Sequence, residues 1–256
     1  MNIAVMGHMG MLGLAVQQEI MRQGHILRIF YEENWEIKAR RIDHEQLPDD
    51  DIQVVINCAG VVPQSGATPK DMVYTNAYAP YVLRNACNQI GARLIHVSTD
   101  CVFTAPGPHS EASPLSPSSL YGLSKAAGEI SDEPHLTVRT SFVGLGPTGL
   151  LHDLMNSEHV NASENLLWNG HTATTVARAL VELAAQGGVS GVLHLPGEWT
   201  NRYRLCLQLK EYFGLKVDVI KNNTFRADRR LLSTHWDSLG LTPLPEFGQQ
   251  LKEYIP

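Results

Sequence analysis

The chain has 256 residues, 43% hydrophobic and 18% charged, with a formal net charge of -6 at pH 7. That length allows one large domain, or a main domain with a smaller companion, and either buries a proper core. The acidic balance leaves no basic footprint for nucleic acid, no apolar run is long enough to span a bilayer, and residues 1–6 read as a strand rather than a signal peptide, so a cytoplasmic protein without nucleic-acid or membrane partners is expected.

Taken in chain order, apolar strand patterns over 2–6, 26–31, 53–58, 93–98, 136–142 and 191–195 alternate with helical ones. The first helix carries Leu12, Ala15, Val16 and Ile20 on one face, and others are predicted over 76–90, 119–131 and 174–186. Such alternation predicts an α/β fold, a doubly wound parallel (Rossmann) sheet covered on both faces. A stretch rich in Pro, Gly and Ser over 104–119 reads as a surface loop leading into the helix at 119. Past Val143 the periodicity weakens, which sets residues 1–143 as the dinucleotide-binding domain, with the helix and strand near 174–195 returning to it. Residues 144–256, with a helix over 203–213 and a short strand over 217–220, are mainly a smaller C-terminal substrate-binding lobe, placed over the carboxyl ends of the strands where such sheets bind ligands.

Gly7-His8-Met9-Gly10-Met11-Leu12-Gly13 follows the first strand and opens the first helix. Glycines there allow a tight turn and close backbone approach, and the helix N-terminus offers free N–H groups to a pyrophosphate. The spacing is Gly-x-x-Gly-x-x-Gly, not the strict Gly-x-Gly-x-x-Gly. The end of the second strand, Ile29-Phe30-Tyr31, lacks the carboxylate that reads the ribose of NAD, and Glu32 and Glu33 come later. Arg28, Lys38, Arg40 and Arg41 are available for a 2'-phosphate, so NADP is favoured over NAD, which stays possible; Asp43 could meet the adenine edge. The plainer reading of these basic side chains is a solvated face, and of Asp43 a turn aspartate.

Tyr121 and Lys125, four apart on a predicted helix, lie on one face. An ammonium there favours the phenolate, drawing a pKa of about 10 toward neutrality as general acid catalysis requires. A surface helix with a chance spacing is the alternative. The cysteines Cys58, Cys87, Cys101 and Cys206 show no CxxC spacing and read as reduced core thiols, and the eleven histidines are scattered, so no metal is expected.

Five motifs stand in register: the glycine turn, Asn57-Cys58-Ala59-Gly60, Asn76 in Tyr74-Thr75-Asn76, Ser98-Thr99-Asp100-Cys101-Val102-Phe103, and Tyr121-x-x-x-Lys125. With them the chain resembles the extended short-chain dehydrogenase/reductases. It is similar above all to their dTDP-4-dehydrorhamnose reductase branch, for which the Ser-Thr-Asp-x-Val-Phe run and Arg139-Thr140-Ser141 are characteristic. The resemblance implies an oxidoreductase of carbohydrate biosynthesis that moves hydride from NADPH to the C4 ketone of a nucleotide-linked 4-keto-6-deoxy sugar. It implies that Thr99, Tyr121 and Lys125 are catalytic, that Lys125 also grips the nicotinamide ribose, and that Gly7 to Gly13, Cys58, Ala59, Gly60 and Asn76 serve the cofactor, Asn76 by propping the lysine helix. Substrate contacts are expected from Cys101, Val102, Phe103, His152 and Arg230, and a homodimer through the helices at 76–90 and 119–131.

Two departures keep alternatives open. Cysteine at 101 replaces the branch's usual tyrosine and is similar to the GDP-fucose synthase branch, where an epimerase/reductase would need a second acid or base, with His152 as the candidate. The methionine adenosyltransferase regulatory subunit also looks like these reductases, which leaves a non-catalytic NADP-binding subunit as a further possibility. The run Arg226-Ala227-Asp228-Arg229-Arg230 either reaches a substrate diphosphate or faces solvent.

Overall fold

The first strand, β1 (Asn2–Met6), is covered on both faces, with Ile3, Ala4 and Val5 fully buried. The structure, a computed structural model, describes residues 1–29 and 51–254. The positions expected to read a 2'-phosphate or adenine at Lys38, Arg40, Arg41 and Asp43, with Glu32 and Glu33, lie outside the described residues.

After β1 come α1 (Met11–Arg22), β2 (Ile26–Ile29) and β3 (Val54–Asn57). They are followed by α2 (Pro69–Val73), a π-helical turn (Tyr74–Tyr78), α3 (Ala79–Ile90), β4 (Arg93–Thr99), α4 (Leu120–Ala127) and β5 (Leu136–Thr140). Next are β6 (Phe142–Val143), α5 (Leu150–Asn156), β7 (His159–Ala162), β8 (Leu166–Trp168), β9 (His171–Thr172), α6 (Ala173–Gln186) and β10 (Gly191–His194). The chain closes with β11 (Thr200–Asn201), α7 (Arg202–Tyr212), β12 (Asp218–Lys221), β13 (Ala227–Asp228) and α8 (Phe247–Lys252).

Six strands form a parallel sheet in the order β10-β5-β4-β3-β1-β2. Alternation along β1 divides the core: Ile3 and Val5 join Val16, Ile20, Val176 and Leu180 of α1 and α6, while Ala4 and Met6 join Leu83 and Cys87 of α3 on the other face. The chain runs from β1 outward to β2 and then back to β3 on the opposite side, so the strand order reverses between β1 and β3. That reversal opens a crevice at the carboxyl ends of the two strands.

Three elements differ from the sequence pattern. The helix expected from 76 begins at Pro69, because Thr68 and Asp71 form a reciprocal capping box with proline at the first turn, and the π-helical turn then joins it to α3. The helix expected to reach 131 stops at Ala127, which lets Glu129 turn to Arg139. The strand expected over 136–142 breaks after Thr140; Phe142 and Val143 leave the large sheet to pair with His171 and Thr172.

The C-terminal region has its own core of Leu154, Trp168, Leu205, Leu209 and Phe247. A three-stranded sheet, β11-β8-β13, stands over the crevice. At the turn after β1, a Cβ on Gly13 would lie 2.1 Å from the Gly7 carbonyl oxygen. Gly13→Ala is therefore expected to spread the turn, lowering stability by about 1–3 kcal/mol, the usual cost of overpacking, and weakening dinucleotide binding; thermal unfolding and NADPH titration would read both.

Candidate active site

A cavity of about 490 Å³ opens at the strand reversal, walled by Met11, Leu12, Cys58, Ala59 and Gly60 on one side and by Thr99, Cys101, Tyr121 and Lys125 on the other. Its floor is built from the ends of the strands. Asn57 closes β3 by accepting the Ala59 N–H on Oδ1 at 3.1 Å, which turns Cys58 to Gly60 across the crevice. The first turn of α1 has Gly10 as its cap, which has no side chain to accept from its N–H groups. Those N–H groups, beside a wall of small and apolar residues, suit the diphosphate and ribose of a dinucleotide. Within the glycine run, Met11 and Leu12 line the cavity, while His8 is buried and Met9 points outward, 76% exposed.

Asn76, fully buried in the π-helical turn, accepts the Val61 N–H and donates to the Val61 carbonyl, both at 2.8 Å, and donates to Ser124 Oγ at 3.1 Å. It thus ties the segment beyond Gly60 to α4, the helix of Tyr121 and Lys125. That helix begins at Ser119, whose hydroxyl accepts the Gly122 N–H at 3.0 Å. A Cβ on Gly122 would stand 2.4 Å from the Cys101 carbonyl oxygen. Only glycine lets the first turn of α4 press on the turn after β4, and this sets Tyr121 beside Thr99.

Thr99 Oγ1 donates to Asp100 Oδ1 at 3.2 Å and accepts the Cys101 N–H at 3.2 Å. The Tyr121 phenol does not show the lowered pKa expected from Lys125. Burial pushes it up, with Cys101 and Asp100 adding to the rise, while the bond to the Thr99 hydroxyl and the Arg229 charge pull it back. The reason is the course of the lysine: its Nζ donates to the Val97 carbonyl at 2.6 Å, on the sheet side of the helix. Burial lowers Lys125 to about 8, against the favourable charge of Glu129. Burial also pushes the Cys101 thiol up to about 12, so it is held protonated.

Other expected contacts fall away from the cavity wall. Val102 and Phe103 are fully buried in a cluster with Leu231, because the 3-10 turn at Asp100–Val102 carries them inward, and Phe103 stacks on His109 at 4.3 Å. His152, on α5, has a side chain 40% exposed, with Nδ1 3.6 Å from Asp153 Oδ1. Arg230 pairs with Asp228 at 2.6 Å and lies 4.1 Å from the Trp199 ring centroid. Arg28 lies 3.3 Å from Asp51.

In their place the wall holds Arg202 and Arg229. Arg229 donates from Nη1 to Cys101 Sγ at 3.4 Å, and its buried Nε has no partner among the described residues. The basic run at 226–230 signalled an arginine here, but not which one; the chain leaving β13 turns Asp228 and Arg230 to each other and Arg229 to the cavity. For Arg202, the first residue of α7, the sequence held only the neighbouring Asn201 cap. Among the described residues no group of His, Cys, Asp and Glu could hold a metal ion, and no helix is long and apolar enough to cross a membrane.

A model of the RmlD substrate binding domain family matches residues 1–255. The dTDP-4-dehydrorhamnose reductase of Streptomyces griseus is 31% identical over 280 residues, covering 98% of this chain and 92% of that protein. The Mycobacterium tuberculosis protein of the same name is 29% identical, covering 98% and 91%. Among solved structures, dTDP-4-dehydrorhamnose reductase of Bacillus anthracis in complex with NADP superimposes with a TM-score of 0.83 at 19% identity, covering 98% of this chain and 97% of that one. That last likeness establishes the shared fold.

Proposed function

The chain belongs to the RmlD substrate binding domain family, and on that premise we propose that it reduces the C4 ketone of a dTDP-linked 4-keto-6-deoxy sugar at the expense of NADPH. One observation carries the reading: Thr99, Tyr121 and Lys125 meet in a single cavity whose opposite wall is the glycine turn and the Cys58 to Gly60 segment. The full-length relatives in Streptomyces griseus and Mycobacterium tuberculosis carry the name of that activity. We read residues 1–143, with the helix and strand at 173–195, as the cofactor part, and the remainder as the substrate lobe.

NADPH, held by the glycine turn and the Cys58 to Gly60 segment, would supply the hydride. Tyr121 then gives its proton to the sugar oxygen, and its raised pKa keeps that proton in place until the oxygen becomes basic. Thr99 donates to the same oxygen. Lys125, resting on the Val97 carbonyl, would offer its remaining ammonium protons to the cofactor ribose. Arg202 and Arg229, cations of the second lobe on the cavity wall, meet the substrate's diphosphate. His152 is not on that wall, so epimerisation through a Cys101 and His152 pair has no support.

Adding a dTDP-4-keto-6-deoxyhexose to protein and NADPH tests this: the absorbance of the reduced cofactor should fall. Demonstrable NADPH binding with no turnover of any such sugar would overturn it. Lys125 carries its charge below about 8, so kcat/KM should decline as pH rises through that value, the sign opposite to that of a general base. A homodimer is proposed through the faces bearing Tyr78, Tyr81, Leu120 and Leu123, all exposed large hydrophobics. Sedimentation should show a dimer that Leu123→Glu dissociates.

A further inference from the structure

The Lys125 amine has a buried neighbour to which the mechanism above assigns no task. His96, fully buried on β4, stands with Nε2 3.5 Å from Lys125 Nζ and Nδ1 3.0 Å from Asn57 Nδ2. The Asn57 amide cannot be turned over, because its Oδ1 accepts the Ala59 N–H at 3.1 Å and the reversed amide would set two donors against each other. Its NH₂ therefore faces His96, and Nδ1 must be the nitrogen with the lone pair. Burial and the adjacent Lys125 hold the ring well below its ordinary pKa, hence neutral. A neutral imidazole that accepts at Nδ1 carries its proton at Nε2.

The consequence falls on the lysine. An Nε2–H cannot accept from an ammonium, and the Lys125 amine goes instead to the Val97 carbonyl at 2.6 Å. The other charged or titratable groups around it are Glu129, on the turn beyond α4 and itself held by Arg139, and Cys58, at the end of β3, a thiol pushed up to about 12. On the β4 side the facing group is His96.

We propose that His96 is a positioning residue for Lys125: locked by Asn57 as the Nε2–H tautomer, it turns a donor toward the amine, so that the ammonium rests on the Val97 carbonyl and its other protons are left for the cavity. This rests on the reading of Lys125 as a ligand of the cofactor ribose. It links the two walls of the crevice, since the same Asn57 that shapes the Cys58 to Gly60 segment also fixes the ring behind the lysine.

Nitrogen NMR of the imidazoles in the whole labelled protein reads the tautomer without any turnover. A pyridine-type nitrogen at Nδ1 and a pyrrole-type nitrogen at Nε2 are expected across neutral pH. An Nδ1–H tautomer, or an imidazolium, would overturn the proposal. Asn57→Asp reverses the lock: its carboxylate accepts from both the Ala59 N–H and the ring Nδ1–H, and Nε2 becomes an acceptor for the ammonium. NADPH binding followed against pH should weaken about tenfold, with its alkaline limb moved up by about one unit, as a new favourable contact to the charged form requires. The shift should vanish when His96→Leu is added. A folded Asn57→Asp protein with unaltered affinity and an unmoved limb, or a shift that persists in the double variant, sinks the idea. Failure to turn over any dTDP-keto sugar, with tautomer and binding as expected, would instead remove the substrate assignment and leave this one standing.

Discussion

Tyr121→Phe is expected to lower kcat by about 10²–10⁴, the usual worth of a positioned general acid, with the KM for substrate and the affinity for NADPH close to those of the parent. The ring of Tyr121 packs where the first turn of α4 meets the turn after β4, and phenylalanine keeps that packing. What is lost is a single O–H on the cavity wall. The proton donors left near the reacting oxygen are poor substitutes: the Thr99 hydroxyl can hydrogen-bond that oxygen but, as an aliphatic alcohol, is far too weak an acid to surrender its proton, and the Cys101 thiol, pushed up to about 12, accepts from the Arg229 guanidinium at 3.4 Å. Single-turnover oxidation of bound NADPH measures the step directly. A variant that keeps its rate would assign the proton to another group and remove Tyr121 from the chemistry.

The parts of this site that the sequence displayed are those fixed by short-range rules. A strand buried on both faces reads as a run such as Val54-Val55-Ile56, and the glycine turn reads from the strand before it and the helix after it. The spacing of Tyr121 and Lys125 correctly placed both on one helix. It did not reveal where the lysine's charge would go, because Val97 and His96 lie on a strand nearly thirty residues away in sequence, and the pairing of β4 with its neighbours decides which carbonyl the ammonium meets. Long-range contacts likewise chose Arg229 over Arg230, since the alternation continues past β13, where the Arg229 N–H still donates to the Leu167 carbonyl of β8, and depends on the register of the two strands. Val102 and Phe103 look like wall residues by their closeness to Thr99, yet a 3-10 turn of three residues sends them into the core. The early start of the helix at Pro69 was legible in Thr68 and Asp71, a capping box lying ahead of the predicted helix start.

Arg139→Met is expected to destabilise the protein by about 3–5 kcal/mol, the cost of breaking a buried ion pair from one side. Arg139 meets Glu129 through two bonds, Nη2 to Oε2 at 2.7 Å and Nε to Oε1 at 2.9 Å, with both side chains under a tenth exposed. Its Nη1 donates to His194 Nε2 at 3.1 Å, and the guanidinium lies 5.3 Å from the Phe103 ring centroid. Methionine fills much of the space but strands the Glu129 carboxylate with, among the described residues, only the Ser98 hydroxyl, at 2.7 Å, as a direct partner. Adding Glu129→Leu should recover much of the stability, because an apolar pair of similar volume replaces a buried ion pair at little cost. Urea denaturation of the parent, the single and the double variants checks the pair; a single variant within about 1 kcal/mol of the parent, the worth of an exposed pair, would show that this contact is not the clasp between α4 and the sheet. Because Glu129 lies four residues beyond Lys125 and its charge favours the ammonium, the double variant should also bring the alkaline decline in kcat/KM to lower pH, tying the stability of the clasp to the state of the lysine.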